Sequence, residues 1–371
     1  MTRLGNSALI SGNVFGRSRE IATIRELAEL SGVSVATVSR VLNDYDDVSA
    51  ATRKRVLKLA EELEYTPAAA ARTLVTKRSH VVGVVLATGV DHPDIQHPFF
   101  QEVLVGLKRR LGAGGYDLLL LATEEPGNGF GTHSYLQRSR HHRVDGVVLM
   151  GVEQRDADAQ RLARSTIPCV AVDLDLVGRR TGFVISDNAR GAVLAIEHLH
   201  ELGHDRIATI TGPTDKRVGM DRLVGYREAL ERLELEYRDE YVREGDFYFE
   251  SGSAAMQELL SLPEPPTAVF AASDLMAAGA IRSIQQAKLT VPGDIAVVGF
   301  DDIQLAALMQ PALTTIRQDK LGLGTAAAEA LLGMIERDGA PPPGLTLPVE
   351  LVVRDSTGPH RGEAAAGEPE S

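Results

Sequence analysis

Cysteine is nearly absent from this chain of 371 residues, which contains only Cys169. A single thiol forms neither an internal disulfide nor a thiolate metal cluster, so both kinds of stabilisation are excluded. Because Cys169 lies in the apolar run 168–172, we expect a small buried side chain. The chain also lacks the roughly 20 consecutive apolar residues that a membrane-spanning helix needs. Residues 1–19 lack the apolar segment of a secretory signal, so we expect a cytoplasmic protein with no membrane partner.

Signs of enzyme chemistry are missing as well. The sequence has no persuasive nucleophile–base arrangement or paired-carboxylate site, so we expect no catalytic residues and no cofactor. Residues 112–115 are glycine-rich but indicate a helix-ending turn rather than a phosphate-binding loop. Several histidines fall at spacings that fit no standard zinc site, so we expect solvated side chains and no metal. These histidines are His92, His97, His133, His141 and His142.

Charge is distributed unevenly along the chain. The formal net charge is −12, yet residues 1–80 hold 12 basic and 9 acidic side chains. The remainder holds 27 basic and 42 acidic side chains, a balance of −15. A basic segment ahead of an acidic body is typical of a nucleic-acid-facing domain attached to a larger one. The length independently suits two or three domains.

The segment from residue 22 to residue 66 has the pattern of three short helices. Thr23 and Glu26 form a capping-box pattern, which predicts a helix start at this point. The sequence Ser31–Val33 contains a glycine that breaks this helix, and Ser34 is placed to cap a second one. A third helix is predicted to begin at Ser49. Two short helices joined by a glycine-bearing turn form a helix-turn-helix unit, whose second helix enters the DNA major groove.

The outward side chains of the second helix are candidates for contact with DNA. Arg40 has the planar fork that pairs with a guanine edge, and Val35 and Ala36 suit thymine methyl groups. Thr37 and Ser39 are short donors suited to phosphates. Thr23 and Ser34, at the helix starts, complete the candidate set. The alternative is a plain three-helix bundle in which Arg40 is merely solvated.

The order of motifs along the chain resembles one family. The stretch Ala22–Asn43 strongly resembles the DNA-binding head of the lactose-repressor (LacI-type) family of bacterial regulators. The resemblance continues through Tyr65–Pro67 and Ala71–Leu74, and then through the body to about Asp355. It therefore implies an all-α helix-turn-helix head followed by an α/β body with two doubly wound parallel-sheet lobes of the periplasmic-binding-protein-like type.

Residues 67–78 are predicted to form a hinge helix. The segment is short and has little to bury, so it should be marginal in isolation. The resemblance implies that it becomes helical when two copies meet over the minor groove, where Leu74 wedges into the central base step beside Ala71 and Arg72. Such a wedge costs a few kcal/mol of unstacking and bends the DNA onto more protein surface. The alternative is a simple linker in which Leu74 packs on the body.

The body, residues 79–356, alternates β-branched apolar runs with amphipathic helical stretches such as Ala189–Leu202. This alternation predicts parallel, doubly wound sheets, and nearly 280 residues suggest two lobes. The predicted strands are Val81–Leu86, Asp117–Leu121, Gly146–Met150, Cys169–Val172, Ile207–Thr211, Ala268–Ala271 and Ile295–Phe300.

Polar and aromatic side chains follow several of these strands. Ligands of open α/β sheets bind beyond the carboxyl ends of strands, where side chains from different strands converge. Carboxylates accept paired hydroxyl bonds, arginine donates in a fork, and aromatic faces cover sugar rings. By resemblance the effector contacts are Phe100, Asp173, Lys216, Arg222, Phe247, Ser273 and Asp301. Each could alternatively be a structural ion pair or a helix cap, and Val218 stands where relatives often have a polar residue.

The sequence thus predicts a homodimeric transcriptional regulator, expected to be a repressor, which binds pseudo-palindromic operator DNA. A small effector, expected to be a sugar, binds between the lobes and controls the affinity for DNA. Residues 1–21 and 357–371 are predicted to be a disordered arm and a disordered tail. The rival interpretations are a sugar-binding transport component, which the head argues against, and a sugar-modifying enzyme, which lacks a catalytic constellation.

Overall fold

The structure is a computed structural model. It describes residues 23–42, 45–65, 78–86, 94–122, 134–153, 155–337 and 344–360. Contacts between backbone positions divide the chain into two units, 1–79 and 80–371.

The first unit contains three short helices around a small apolar core. They are α1 (Ile24–Ser31), α2 (Val35–Leu42) and α3 (Ala50–Glu62). The predicted capping residues begin them: the hydroxyls of Thr23, Ser34 and Ser49 accept hydrogen bonds from backbone N–H groups of the first turns. Gly32 ends α1 with a φ of 65°, a left-handed conformation that glycine adopts without strain. The core consists of Leu27, Ala28, Val38, Val41, Val56 and Ala60.

The second unit contains two six-stranded sheets, each the centre of one lobe. Lobe 1 has strand order β11-β5-β4-β3-β1-β2, and all its neighbours are parallel. Its strands are β1 (Val81–Leu86), β2 (Asp117–Leu121), β3 (Gly146–Met150), β4 (Cys169–Val172), β5 (Thr181–Ser186) and β11 (Leu345–Leu347). Lobe 2 has order β12-β10-β9-β8-β6-β7 and is parallel except that β12 runs antiparallel to β10. Its strands are β6 (Ile207–Thr211), β7 (Val242–Glu244), β8 (Ala268–Ala271), β9 (Ala296–Asp301), β10 (Thr314–Gln318) and β12 (Val349–Val352).

Helices cover both faces of each sheet, as the continuous apolar strands require. Lobe 1 is covered by α4 (Pro98–Ala113) and α12 (Lys320–Arg337) on one face, and by α5 (Tyr135–His141) and α6 (Ala157–Ala163) on the other. Lobe 2 is covered by α7 (Asn188–Glu201) and α8 (Arg217–Arg232), and on its other face by α9 (Phe249–Leu260) and α10 (Asp274–Gln286). The short helix α11 (Gln304–Leu308) follows β9. No helix within the described ranges is long and apolar enough to cross a membrane.

The chain passes between the lobes three times. It crosses from β5 into α7 at residues 186–188, from β10 into α12 at 318–320, and from β11 into β12 at 347–349. Two crossings are joined directly, because the Asp187 N–H donates to the Leu347 carbonyl at 2.9 Å. These three segments are therefore the points about which the lobes can move.

The predicted fold class is confirmed, and differences concern individual elements. The last predicted strand is shifted by one residue, since β9 begins at Ala296 and ends at Asp301. Residues 357–360, predicted to belong to the disordered tail, instead contact lobe 2. His198 Nε2 lies 2.9 Å from Thr357 Oγ1, and the His360 N–H donates to the Leu202 carbonyl.

Candidate nucleic-acid interface and ligand cleft

Helix α2 presents most of the candidate DNA contacts on one surface. Val35, Ala36 and Arg40 are exposed, while Thr37 and Ser39 are half-buried. The inward side of the same helix is filled by Val38 and Val41. Thr23 and Ser34 lie at the starts of α1 and α2, where their hydroxyls cap backbone N–H groups. The surface of α2 therefore has the exposed fork, apolar contacts and short donors that groove reading needs.

Arg40 already has a partner within the head. Its Nη1 lies 2.8 Å from Asp47 Oδ2, and both side chains are more than half exposed. Such an exposed ion pair is weak, so it orients the guanidinium without sequestering it. The predicted hinge contacts Ala71, Arg72 and Leu74 lie outside the described residues.

Five of the seven predicted effector contacts line one cavity between the lobes. They are Phe100, Asp173, Arg222, Phe247 and Asp301, joined by His97, Phe99, Val218 and Tyr248. The cavity measures about 60 Å³. Typical ligand pockets measure roughly 300–1,000 Å³. The lobes are thus nearly closed on each other, and a ligand larger than a few water molecules needs them to part.

Arg222 is the central cation of the cleft. It is 4% exposed, and its Nε donates to Asn188 Oδ1 at 2.9 Å while Nη1 donates to the Ala272 carbonyl. Nη1 also lies 4.0 Å from Asp301 Oδ1. Burial lowers the pKa of Arg222, and the neighbouring carboxylates Asp301 and Asp173 oppose this shift. The guanidinium is therefore held in a fixed orientation with one edge towards Asp301.

Asp301 ends strand β9 in an unusual backbone conformation. Its φ is 119°, and that of Asp302 is 51°, so two consecutive non-glycine residues occupy the region that favours glycine. The Asp301 side chain is buried, and its Oδ1 accepts a hydrogen bond from Gln318 Nε2 at 2.7 Å. At this turn the Asp301 side chain lines the cavity between the lobes.

Asp173 follows strand β4 and faces Asp301 and Arg222 from lobe 1. Its Oδ1 is buried and makes no hydrogen bond of good geometry to a described residue. The pKa of Asp173 is raised to about 7, mainly by burial, with the Arg222 cation opposing the shift and the Asp301 charge adding to it. The carboxyl group is therefore poised to change protonation near neutral pH.

Lys216 and Ser273 occupy other positions. Ser273 is fully buried at the start of α10, where its Oγ accepts from the Met276 N–H and donates to the Phe247 carbonyl. Its hydroxyl is a helix cap that supports Phe247. Lys216 precedes α8 and lines a neighbouring surface recess. Neither residue lines the central cavity.

His97 is the residue that the sequence interpretation missed. It was predicted to be solvated but is 5% exposed, at the start of α4, where Nδ1 accepts from the Phe99 N–H at 3.3 Å. Burial lowers its pKa, and Asp301 and the Phe247 carbonyl oppose this shift. A neutral ring that accepts at Nδ1 carries its proton on Nε2, and this buried atom has no hydrogen-bond partner among the described residues. The sequence feature that indicates its role as a helix cap is its position directly before Pro98, since a capping side chain often precedes a proline at the first helical position.

Asp274, also at a strand end, has a structural role. Its oxygens accept from the Ile303 N–H at 2.8 Å and the Thr315 hydroxyl at 2.5 Å. Burial raises its pKa well above the usual value, and the Asp301 charge adds to this. His141 and His142 are exposed, as predicted. Within the described ranges, no group of three or more metal-ligating side chains is placed to hold a metal ion.

The cleft is chemically suited to a small neutral molecule with several hydroxyl groups. Asp173 and Asp301 offer acceptors, Arg222 and His97 offer donors, and a hydroxyl group does both. Phe100, together with the rings of Phe247 and Tyr248, supplies the aromatic faces that pack on apolar ring faces. Among the described residues that line the cavity there is no serine, threonine, cysteine or lysine to act as a nucleophile.

Both parts of the chain match known families. The bacterial regulatory proteins of the lacI family match residues 23–68, and the periplasmic binding protein-like domain matches residues 196–357. The chain is 39% identical over 316 residues to the ribose operon repressor of Escherichia coli (strain K12), covering 85% of this chain and 93% of that protein. It is 38% identical over 340 residues to the HTH-type transcriptional regulator CelR of Thermobifida fusca, covering 91% and 99%.

Solved structures are similar over nearly the same length. The lac repressor dimer bound to operator and the anti-inducer ONPF superposes with a TM-score of 0.77 at 31% identity, covering 91% of this chain and 100% of that one. The complex of the transcriptional regulator CelR with cellobiose gives a TM-score of 0.67 at 34% identity, covering 90% and 99%.

Proposed function

The chain belongs to the lacI family of bacterial regulatory proteins, and from this premise we propose that it is a homodimeric repressor controlled by a sugar. Like its relatives, it is a sequence-specific DNA-binding regulator and not an enzyme. Two heads related by a two-fold axis read a pseudo-palindromic operator through helix α2. We place the protein in the cytoplasm, where bacterial DNA is located.

The hinge and the domain boundaries belong to the same proposal. Residues 67–78 form the helix that inserts Leu74 into the minor groove, flanked by Ala71 and Arg72. The head spans residues 22–66 and the effector-binding body begins at residue 79. The division of the chain near residue 79 supports this boundary.

A neutral sugar is the effector class that the cleft supports best. The carrying observation is that Asp301 and Arg222 lie 4.0 Å apart in a cavity that also contains Asp173, His97 and Phe247. Relatives are named for ribose, and a similar structure holds cellobiose. Asp301, Arg222 and Asp173 are proposed to bind hydroxyl groups, and Phe100 and Phe247 to pack on the ring. His97 joins them, Ser273 acts through Phe247, and Lys216 lies at the rim.

Control of DNA binding follows from the relative arrangement of the two lobes. The sugar contacts lobe 1 through Asp173 and lobe 2 through Arg222 and Asp301, so it binds one relative arrangement of the lobes better than others. A ligand shifts an equilibrium only through such differential affinity. The arrangement of the lobes then sets whether two hinge segments can meet over the operator.

A thermal-shift screen of the full chain tests this assignment. D-ribose, D-glucose, cellobiose, adenine and guanine are added separately, and Asp301→Asn serves as the matched variant. One of the sugars should raise the unfolding temperature of the native chain by at least about 4 °C at a hundredfold excess over its Kd. The variant should show little shift. Stabilisation by a nucleobase alone, or an equal shift in the variant, would contradict the proposed effector or its site.

A further inference from the structure

Lys320 is a buried cation at one of the three crossings between the lobes. It begins helix α12, which packs on lobe 1, yet its side chain reaches into lobe 2. It is 4% exposed. An ammonium group so buried is costly unless its donors are all occupied.

Two donors of the Lys320 ammonium are hydrogen-bonded to backbone carbonyls, and a carboxylate lies near the third. Nζ donates to the Asp301 carbonyl at 2.5 Å and to the Asp302 carbonyl at 2.9 Å. The third neighbour is Glu102 Oε1 on α4, at 3.6 Å. The first two oxygens belong to the two consecutive residues with positive φ, a backbone conformation that is strained for non-glycine residues. The ammonium therefore compensates the strained turn at which the Asp301 side chain lines the cleft.

The same crossing holds the carboxylate itself. Gln318, two residues before Lys320, donates from Nε2 to Asp301 Oδ1 at 2.7 Å. The segment 318–320 thus fixes Asp301 through its side chain and through its backbone.

Helix α12 is also joined tightly to the lobe-1 helix that carries His97 and Phe100. A Cβ at Gly106 of α4 would lie 2.2 Å from the Leu321 carbonyl oxygen, and one at Gly324 of α12 would lie 2.0 Å from the Val103 carbonyl oxygen. Backbones in such close contact move together, because no flexible side chain separates them. A displacement of lobe 1 therefore reaches Asp301 through Lys320.

We infer that Lys320 is the positioning residue of the effector site, holding Asp301 in its binding orientation only while the lobe-1 helices α4 and α12 stay in place. The inference rests on the proposed function, and it adds how the closure of the lobes changes the affinity for the effector. On the lobe-1 side, the carboxylate of Glu102 lies 3.6 Å from the Lys320 ammonium. Lys320 itself does not line the central cavity.

The test uses the full chain with Lys320→Met, Lys320→Arg and the control Lys108→Met, an exposed lysine on α4. Calorimetry with D-ribose, or with whichever sugar stabilises the native chain, should show a Kd raised about 10-fold to 100-fold in Lys320→Met, the loss expected for a charge-assisted hydrogen bond. Lys320→Arg should recover part of the affinity, and the control should bind normally.

A double-variant cycle separates positioning from a general structural effect. If Lys320 acts through Asp301, the pair Lys320→Met with Asp301→Asn should bind no more weakly than Asp301→Asn alone. Losses that simply add would overturn the inference.

A ligand-free measurement keeps the inference distinct from the proposed function. Hydrogen exchange of the peptide spanning residues 296–304 should be faster in Lys320→Met than in the native chain, and unchanged in Lys108→Met. If no sugar binds the native chain, the proposal of a sugar effector is wrong. The exchange measurement still decides whether Lys320 positions Asp301. Unchanged exchange in Lys320→Met would overturn the positioning role whatever the effector is.

Discussion

The guanidinium carbon of Arg222 lies 3.7 Å from the centre of the Phe300 ring, the residue directly before Asp301. This stacking ties a cation on α8 to the end of strand β9. At the same time the edge of the guanidinium donates hydrogen bonds to Asn188 Oδ1 and to the Ala272 carbonyl. The cleft thus depends on the planar shape of the group as well as on its charge.

Arg222→Lys should consequently impair both stability and effector binding. Lysine keeps the charge but loses the stacking and the fixed fork, and it leaves buried acceptors unpaired. We expect losses of about 1.5–3 kcal/mol in the free energy of effector binding and a lower unfolding temperature. Calorimetry and thermal unfolding measure the two effects. Normal sugar binding by a well-folded Arg222→Lys would show that the fork is not used.

The protonation of Asp173 predicts a pH dependence. Since its pKa is raised to about 7, the folded chain binds more protons than the unfolded chain between the usual carboxyl pKa and 7. The contribution of Asp173 to stability therefore falls as pH rises through this window. Ionised Asp173 is the better acceptor for hydroxyl groups, so sugar affinity should rise between pH 6.5 and 8, where His97 with its lowered pKa stays neutral.

Calorimetry of the native chain and of Asp173→Asn across this range checks the assignment. The variant should bind sugar with little dependence on pH. A dependence that persists in Asp173→Asn would assign the titration to another group.

Arg40 and Asp47 give a prediction for DNA recognition. Arg40→Ala should cost about 1–3 kcal/mol at one base position of each half-site. Asp47→Ala removes the anion 2.8 Å from the Arg40 guanidinium, so it should strengthen binding to DNA by up to about 1 kcal/mol. Anisotropy titrations at fixed salt with single-base operator variants measure both. If Arg40→Ala lowers the affinity equally for every DNA sequence, Arg40 contacts a phosphate and not a base.

Leu74→Ala tests the hinge, which was predicted from the resemblance. Loss of the wedge should reduce DNA bending and operator affinity while effector binding stays intact, because the wedge acts only on the base step. Gel-shift titration, with a bending assay by energy transfer, provides the measurement. Operator affinity that equals that of the native chain would support the linker interpretation.

Most strands of the two sheets could be predicted from the sequence. Six of the strands have the predicted bounds. Five of them are almost completely buried and therefore mostly apolar, and the edge strand β2 also has a run of four leucines. Strand β7 is only three residues long, and β12 has the alternating sequence Val-Glu-Leu-Val, so neither has that pattern. Thr181–Ser186 contains a glycine and polar ends, which concealed β5.

The cleft was predictable only in part. Asp301 and Asp173 follow buried strands, so the rule for strand ends placed them together. Ser273 follows the same rule, but a serine before a helix serves equally well as its cap, and packing decides between the two roles. The place of His97 before Pro98 indicates a helix cap, but its burial depends on how closely the lobes approach, and the local sequence does not encode that distance.

Operator titration with and without the sugar is the most direct test of the central claim that a ligand in the cleft controls DNA binding. Fluorescence anisotropy compares the binding of the full chain to a pseudo-palindromic operator, selected from a random duplex library, with its binding to a scrambled duplex at constant salt. We predict affinity for the site at least about 10³-fold above that for scrambled DNA, and a change of about 5-fold to 150-fold in the operator Kd on adding the sugar. In Asp301→Asn the operator should still bind and the sugar should have no effect. Equal affinity for both duplexes, or an operator Kd that the bound sugar leaves unchanged, would contradict the account.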